Sequence, residues 1–450
     1  MRKLIIPLIL FGLVAFGCVL NFDQNTTTSD APRPLEPQVP ETPDVPSEET
    51  AGDLPQTDSI PMEAGKFAAT NNAFAFDIYD QAVGGSAEDQ NIFFSPYSIY
   101  TALGMVYAGS KRDTEEQMRN ALYFDADQMT QHASFKEMSD KLNAIGKRNK
   151  AQLNVANGVF QAKLYEKLLL PEYQEMLQKF YDSELYSLDF GKAKETAEYI
   201  NDWVLERTNK RIKNLVNEDH IRGSNDGMVL VNAIFFKANW LRQFNPKSTS
   251  IMSFYSTPKK EIPVNMMYVQ DHFAYADVAD MQVIELPYDE EELSMLVFLP
   301  YLTSEAPKLN QDILSEAMKS LSKEDVRLWL PSFTLELELE EIPEMLKAMG
   351  MEDAFDRILA DFSGIRDPKG KAGLYIKDIL HKAFIEVNEE GTEAAAATAV
   401  VMATKTSAMP VEDQPIIFRA DRPFSYMIVH RPTQTILFMG RLSDPPRVEQ

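Results

Sequence analysis

The sequence of 450 residues is poor in side chains that bind metals through sulfur or imidazole. It contains one cysteine, Cys18, and five histidines. A single cysteine excludes an intramolecular disulfide and a thiolate metal cluster. No two histidines stand at the spacing of a metal-ligating pair. We therefore expect no metal site and no cofactor.

Basic residues are also scarce. Lys and Arg number 44 against 68 Asp and Glu, which gives a formal net charge of −24. Because nucleic-acid binding depends on clustered basic charge, this balance argues against a nucleic-acid partner. Catalytic motifs are missing too, since there is no G-x-S-x-G nucleophile elbow and no H-E-x-x-H metalloprotease motif. We therefore expect a protein that is not an enzyme.

One apolar run stands near the N-terminus, and it is short. Leu4 to Gly17 spans 14 residues, fewer than the roughly 20 of a membrane-spanning helix. With the two basic residues before it, this run is typical of a secretory signal peptide over residues 1–17. Cys18 follows where a bacterial lipoprotein cleavage box carries its lipidated cysteine. We predict a cell-envelope lipoprotein on the outer or cell surface, with a secreted, extracellular protein as the alternative.

A proline-rich segment follows the signal peptide. Residues 18–62 are rich in Pro, Thr, Glu and Asp, and such a composition cannot bury enough apolar surface to fold. Repeated proline favours an extended, semi-rigid chain. We predict that residues 18–62 comprise the lipidated cysteine and a disordered tether. No further Pro/Gly-rich linker interrupts residues 63–447, which we predict to be one folded domain.

Helical periodicity comes early in this domain and strand patterns come late. We predict helices over 67–83, 96–108, 114–122, 127–145, 171–180 and 193–208. Ser95 and Pro96 suit the N-cap and the first position of the second helix. The continuous apolar run Met228–Phe236 is typical of a buried central strand. Further strands are predicted over 282–286, 293–299, 326–330 and 334–340. This order indicates an α+β fold.

The segment 387–415 admits two interpretations. Its four consecutive alanines favour a helix. In a strand, by contrast, its side chains would alternate between two faces. The even-numbered positions 392–404 then carry no charge, while Glu393 and Lys405 lie on the odd-numbered face. One face would suit a protein core and the other would suit solvent. Composition alone leaves both interpretations open.

The same segment resembles the hinge of the reactive-centre loop in the serpin family of protease inhibitors. Residues 388–398 read NEEGTEAAAAT, which is similar to the family's hinge motif. Further stretches resemble the family in the same order along the chain, at 91–99, 231–240, 381–384, 418–428 and 437–441. Ser425 departs from the usual apolar residue. Because the resemblance covers nearly all of residues 64–444, the chain is identified as a member of this family.

The resemblance implies a fold and a mechanism. Helices would surround a large central mixed β-sheet, and an exposed reactive-centre loop would span about residues 389–415. A target protease would attack one loop bond and form an acyl-enzyme. The cut loop would then insert into the sheet as an extra strand and carry the protease into a trapped state. Such an inhibitor is a suicide substrate and not a catalyst.

The family pattern also assigns site residues. The hinge comprises Glu389, Glu390, Gly391, Thr392, Glu393, Ala394, Ala395, Ala396, Ala397 and Thr398. Fourteen residues after the hinge glycine, the reactive bond falls at Lys405–Thr406. Met402, Thr404 and Ser407 are alternative reactive positions. The shutter, where the sheet opens, comprises Ser95, Ser98, Asn232 and His381. Trp240 matches the breach, where the loop inserts.

A lysine at the reactive position fits a protease pocket with an acidic floor. We therefore expect a monomer that forms a covalent complex with a trypsin-like extracellular serine protease. Cross-class action on papain-like cysteine proteases is left open. Contact with a membrane would occur only through the lipid on Cys18. The uncharged inward face and the small hinge residues favour an inhibitor over the alternative, a non-inhibitory serpin that acts as a surface binding or scaffold lipoprotein.

Overall fold

The computed structural model describes residues 64–146, 151–223, 227–289, 291–302, 308–367, 373–392 and 414–448. All of these residues belong to one compact unit, Thr57–Gln450. Within them, no helix is both long and apolar enough to cross a membrane. The same residues contain no group of three or more His, Cys, Asp or Glu side chains that could hold a metal ion.

The helices of the described chain are α1 (Ala64–Gly84), α2 (Pro96–Tyr107), α3 (Arg112–Ala121), α4 (Gln128–Gly146), α5 (Pro171–Tyr181), α6 (Ala193–Arg207), α7 (Glu218–Ile221), α8 (Gln311–Ser320) and α9 (Ile342–Ala348). The start of α2 shows why these segments are helical. The Ser95 hydroxyl accepts the backbone N–H of Ser98 at 3.1 Å, and Pro96 occupies the first helical position.

The strands are β1 (Ile92–Phe94), β2 (Ala151–Ala162), β3 (Leu185–Leu188), β4 (Gly227–Asn239), β5 (Ser250–Thr257), β6 (Lys260–Val278), β7 (Met281–Pro287), β8 (Leu293–Pro300), β9 (Ser322–Pro331), β10 (Phe333–Leu339), β11 (Tyr375–Val387), β12 (Gly391–Thr392), β13 (Ile416–Arg419), β14 (Phe424–His430) and β15 (Thr435–Leu442). One sheet has the order β1-β15-β14-β8-β7-β6-β9-β13, with β5 paired to β6. The other has the order β10-β11-β12-β4-β2-β3, and β11 also pairs with β4.

The predicted α+β class is confirmed, and the predicted helices lie within three residues of α1 to α6. The predicted strands fall on β4, β7, β8, β9 and β10. The division into early helices and late strands is only approximate. Strands β2 and β3 lie among the early helices, and α8 and α9 lie among the late strands, because tertiary pairing overrides local pattern in these segments.

The continuous apolar run of β4 is explained by burial on both of its faces. Met228, Leu230 and Ile234 join the main core. Val229, Val231, Ala233 and Phe235 join a second apolar cluster, which also contains Trp203 and Val204 of α6. A strand covered on both faces needs apolar side chains at nearly every position, and Asn232 is the polar exception in this run. Helix α6 covers the neighbouring strands β2 and β3, where Trp203 packs against Phe160 and Tyr186.

Candidate functional site

The candidate site lies where the two central strands of the six-stranded sheet separate. β4 and β11 pair in parallel as far as Phe235 and Phe384. Beyond that point the short strand β12 lies between them. Thr392 pairs with Val387 of β11 and with Ala238 of β4, antiparallel to both strands. The sheet thus has an opening between its central strands, and this opening holds the first two residues of a strand.

The two residues of β12 fit this opening because they are small. A Cβ on Gly391 would lie 2.2 Å from the carbonyl oxygen of Ala238, so a larger side chain would clash with backbone. Thr392 is fully buried, and its hydroxyl lies 3.0 Å from the hydroxyl of Tyr288. A buried hydroxyl requires a hydrogen-bond partner, which Tyr288 provides. The opening therefore accepts a small, uncharged side chain at position 392.

Trp240 is adjacent to the opening and fixes the chain that leads into β12. Its indole Nε1–H donates to the carbonyl of Asn388 at 3.0 Å, and its backbone N–H donates to the carbonyl of Glu390 at 2.8 Å. Its ring stacks on Tyr288, with the ring centroids 4.6 Å apart. Trp240, which directly follows β4, thus contacts Tyr288, the hydrogen-bond neighbour of Thr392. It also holds the backbone of Asn388 and Glu390, which precede Gly391.

The turn between β11 and β12 is held by its own polar groups. The Asn388 side-chain oxygen accepts the N–H groups of Glu390 and Gly391 at 3.1 and 3.2 Å. The Glu389 carboxylate accepts the Thr249 hydroxyl at 2.6 Å, and its carbonyl accepts the N–H of Phe244 at 2.8 Å. These contacts fix the chain direction into the opening before any further residue enters.

A buried polar cluster joins β4, β11 and the start of α2. His381 and Asn232 are paired residues of the two central strands, and His381 Nδ1 is hydrogen-bonded to the Asn232 side-chain oxygen. His381 Nε2 accepts the backbone N–H of Ser95 at 3.0 Å, so the imidazole is neutral and carries its proton on Nδ1. Asn232 in turn donates to the Ser98 hydroxyl at 2.5 Å. The structure thus brings the four predicted shutter residues together.

Asn157 of β2 is a fifth member of this cluster that the sequence analysis missed. Its side-chain oxygen accepts from the amide of Asn232 and from the Ser98 hydroxyl, the latter at 3.2 Å. Asn157 faces Asn232 directly in the antiparallel β2–β4 pairing. A polar residue inside a strand was the available signal. The network therefore extends across three strands and one helix start.

Burial controls the charge of the central histidine. Desolvation lowers the pKa of His381 to about 3, so the ring is neutral at physiological pH. A protonated ring would place a second N–H against the N–H of Ser95, and that hydrogen bond would be lost. The hydrogen bond between the start of α2 and β11 therefore depends on a neutral imidazole.

The connection from α6 to β4 is fastened to β11 by cationic side chains. The Lys377 ammonium donates to the carbonyls of Asp219, His220 and Arg222 at 3.1, 2.8 and 3.0 Å. Burial lowers the pKa of Lys377. Lys382 donates in the same way to the carbonyl of Lys213 at 3.1 Å. These contacts hold the connection, which we call the cover, against β11.

Several predicted site residues lie outside the described residues. These are Glu393, Ala394, Ala395, Ala396, Ala397 and Thr398 of the hinge, the reactive residues Lys405 and Thr406, the alternatives Met402, Thr404 and Ser407, and Cys18. Of the predicted hinge, the structure describes only Glu389, Glu390, Gly391 and Thr392.

The chain belongs to the serpin family. Residues 69–445 match the family model described as Serpin (serine protease inhibitor). Human Serpin B8 is 39% identical over 386 residues, covering 83% of this chain and 98% of its own length. The leukocyte elastase inhibitor of Sus scrofa is 37% identical and covers 84% of this chain and 100% of its own length. The crystal structure of human thyroxine-binding globulin superimposes with a TM-score of 0.75 and 27% identity, covering 85% and 100% of the two chains. Serpins are mostly protease inhibitors and not catalysts.

Proposed function

We propose that this serpin is a suicide-substrate inhibitor of extracellular serine proteases, acylated at the Lys405–Thr406 bond. The observation that carries the proposal is the position of β12 between β4 and β11. A strand has already begun at the opening, antiparallel to both neighbours, and residues 393 onward follow it in the sequence. A cut in the loop would release these residues to continue the strand.

The energetics of insertion favour the forward direction. Strand insertion breaks one parallel ladder between β4 and β11 and replaces it with two antiparallel ladders, which are somewhat more stable per residue. It also breaks the contacts of the shutter at His381 and Asn232, so insertion has a barrier. The acyl-enzyme bond is trapped only if insertion is faster than its hydrolysis. The small hinge residues keep that barrier low.

The proposed target class follows from Lys405. A lysine side chain is a cation that a trypsin-like specificity pocket binds through its acidic floor. Met402, Thr404 and Ser407 would instead suit proteases with apolar or small pockets. Action on papain-like cysteine proteases would use the same acylation step with a thiol nucleophile. We therefore propose a trypsin-like serine protease as the target.

The proposed location is the cell envelope. Residues 1–17 would direct export, Cys18 would carry the lipid, and residues 19–62 would hold the folded domain away from the membrane. Release of labelled fatty acid from the purified protein, and its loss in Cys18→Ser, would support this location. A protein without lipid in the culture medium would indicate secretion instead.

The test of inhibition is incubation of the purified protein with trypsin. We expect an SDS-stable complex whose mass is the sum of the protease and the cleaved inhibitor, together with release of peptide 406–450. Lys405→Ala should abolish the complex with trypsin, while Lys194→Ala, which replaces an exposed lysine of α6, serves as a control that leaves the reactive bond intact. Cleavage without any complex, tested also with elastase and papain, would contradict inhibition. That outcome would favour the alternative of a non-inhibitory surface protein.

A further inference from the structure

A cavity of about 250 Å³ lies between α4, α5, β2, β3 and α6. Many of its lining side chains are aromatic, namely Tyr97, Phe135, Phe180, Tyr181, Tyr186 and Trp203. An apolar cavity of about 150 Å³ is large enough to hold benzene. The volume of this cavity therefore accommodates one aromatic ring together with a short polar substituent.

Helix α6 contributes an aromatic ring and a cation to the cavity. A Cβ on Gly158 of β2 would lie 2.9 Å from the Trp203 ring, so the ring can approach this strand only because the side chain is missing there. The Arg207 guanidinium, one helical turn after Trp203, lies 4.3 Å from the centre of the indole ring. Stacking on an aromatic ring holds a guanidinium in place while its N–H groups stay free to donate.

The two charged side chains of the cavity wall differ in their partners. The Asp182 carboxylate has the Lys136 ammonium at 4.0 Å as its counter-ion. Arg207, by contrast, has no carboxylate partner among the described residues. A guanidinium binds a carboxylate through two parallel hydrogen bonds, and such charge-assisted bonds are stronger than neutral ones. The unpaired cation therefore favours an anionic substituent on the ring that enters the cavity.

Asn157 connects the cavity to the buried shutter cluster. Its side-chain oxygen accepts from the Asn232 amide and from the Ser98 hydroxyl, and the same side chain lines the cavity. In the part of the chain that the structure describes, the Asn157 amide nitrogen has no acceptor, although it is not sealed from solvent. It can therefore donate to a molecule in the cavity without losing any contact of the shutter.

We propose that this cavity binds a small aromatic carboxylate and that its occupancy slows loop insertion. The ring lies among the aromatic side chains, and the carboxylate accepts from Arg207 and Asn157. A carboxylate on the Asn157 amide polarises that amide and strengthens the hydrogen bonds that its oxygen accepts from Asn232 and Ser98. The effect on insertion rests on the proposed function, since insertion has to break the shutter. Binding itself does not depend on it.

The site is tested by calorimetric titration of the free, full-length protein with trans-cinnamate. We expect one saturable site, and Arg207→Gln should weaken the binding of cinnamate about tenfold. Cinnamamide has the same ring but no charge, so it should bind equally to the wild type and to Arg207→Gln, which also shows that the variant keeps the cavity intact. Lys194→Gln is the matched control, because Lys194 is an exposed cation of α6 outside the cavity. It should bind cinnamate as tightly as the wild type.

The effect on insertion is tested by titrating trypsin with the inhibitor, with and without cinnamate at a concentration that saturates the wild type. The stoichiometry of inhibition should rise about twofold for the wild type and for Lys194→Gln, but not for Arg207→Gln.

The possible outcomes separate the site from the inhibitory mechanism. A wild type without saturable binding, or equal affinity of the wild type and Arg207→Gln for cinnamate, would overturn the site. Binding with an unchanged stoichiometry would overturn the effect on insertion and leave the site standing. A wild type that forms no complex with any protease would overturn the proposed function and the effect on insertion, whereas the calorimetric titration would still decide the site.

Discussion

Replacement of Thr392 by glutamate tests whether the first inserted side chain has to be uncharged. Thr392 is fully buried, with the hydroxyl of Tyr288 as its polar neighbour. A glutamate at this position can enter the sheet only if its carboxyl is neutralised, because an unpaired buried charge costs far more. With an ordinary glutamate pKa of about 4.3, neutralisation at pH 7 costs about 3.7 kcal/mol. Insertion should therefore slow by about 500-fold relative to hydrolysis of the acyl-enzyme.

The penalty has a defined pH dependence. Because it is the cost of protonation, it should fall by about tenfold in rate for each pH unit, to about 50-fold at pH 6. Thr392→Val is the matched control, since it keeps shape and removes only the hydrogen bond to Tyr288. That loss is about 1 kcal/mol, but the hydrogen bond is already formed before the cut, so the insertion rate should stay close to that of the wild type.

The assay is the stoichiometry of inhibition, obtained by titrating trypsin with each variant at pH 7 and pH 6. We expect Thr392→Val to inhibit about as well as the wild type and Thr392→Glu to give predominantly cleaved product. Lowering the pH from 7 to 6 should improve inhibition by Thr392→Glu more than it improves inhibition by Thr392→Val. Equal stoichiometries for wild type and Thr392→Glu would refute the view that β12 is the start of the inserted strand.

Three further predictions concern the shutter and the cover. His381 has a pKa of about 3 in the folded state against about 6.5 unfolded, so its contribution to stability is complete above pH 6.5 and is lost as the pH falls toward 3. Urea unfolding between pH 7 and pH 5 should show this loss, with a slope smaller by up to about 1.4 kcal/mol per pH unit in His381→Gln. Asn157→Ala should lower the free energy of unfolding by about 1–3 kcal/mol, because it leaves one N–H of the Asn232 amide and the Ser98 hydroxyl without their present acceptor; an unchanged melting temperature would contradict this. Lys377→Met should weaken the cover by about 1–2 kcal/mol and so accelerate uptake of a synthetic peptide of residues 392–405 on native gels, whereas Lys194→Met should not.

Strong local patterns predicted their elements well. The apolar run Met228–Phe236 lies within β4, and it is continuous because both faces of that strand are buried. The alternation of Thr334 to Glu340 marked β10, because one face of this strand packs on the main core through Phe333 and Leu335 while the other face is exposed. In both strands, the polarity of each side chain matches its burial, and the sequence pattern therefore predicts the strand.

Segments whose polar residues serve the site were harder to predict. β2 contains Asn157, and β11 contains Lys377, His381 and Lys382, which interrupt a strand pattern because they bind partners across the sheet. The strand character of Gly391 and Thr392 was ambiguous for a different reason. Alanine-rich sequence after them favours a helix, and only the opening between β4 and β11 gives these two residues a strand partner on each side.

The central claim is that the cleaved loop enters the sheet between β4 and β11. The most direct measurement is the melting temperature of the protein before and after a single cut between residues 398 and 410 by a protease that is not trapped, with the cut located by mass spectrometry. We expect a rise of tens of degrees, because a new central strand adds a ladder of backbone hydrogen bonds on each side. An unchanged or lower melting temperature of the cut protein would show that the loop stays outside the sheet, and would contradict the proposed mechanism.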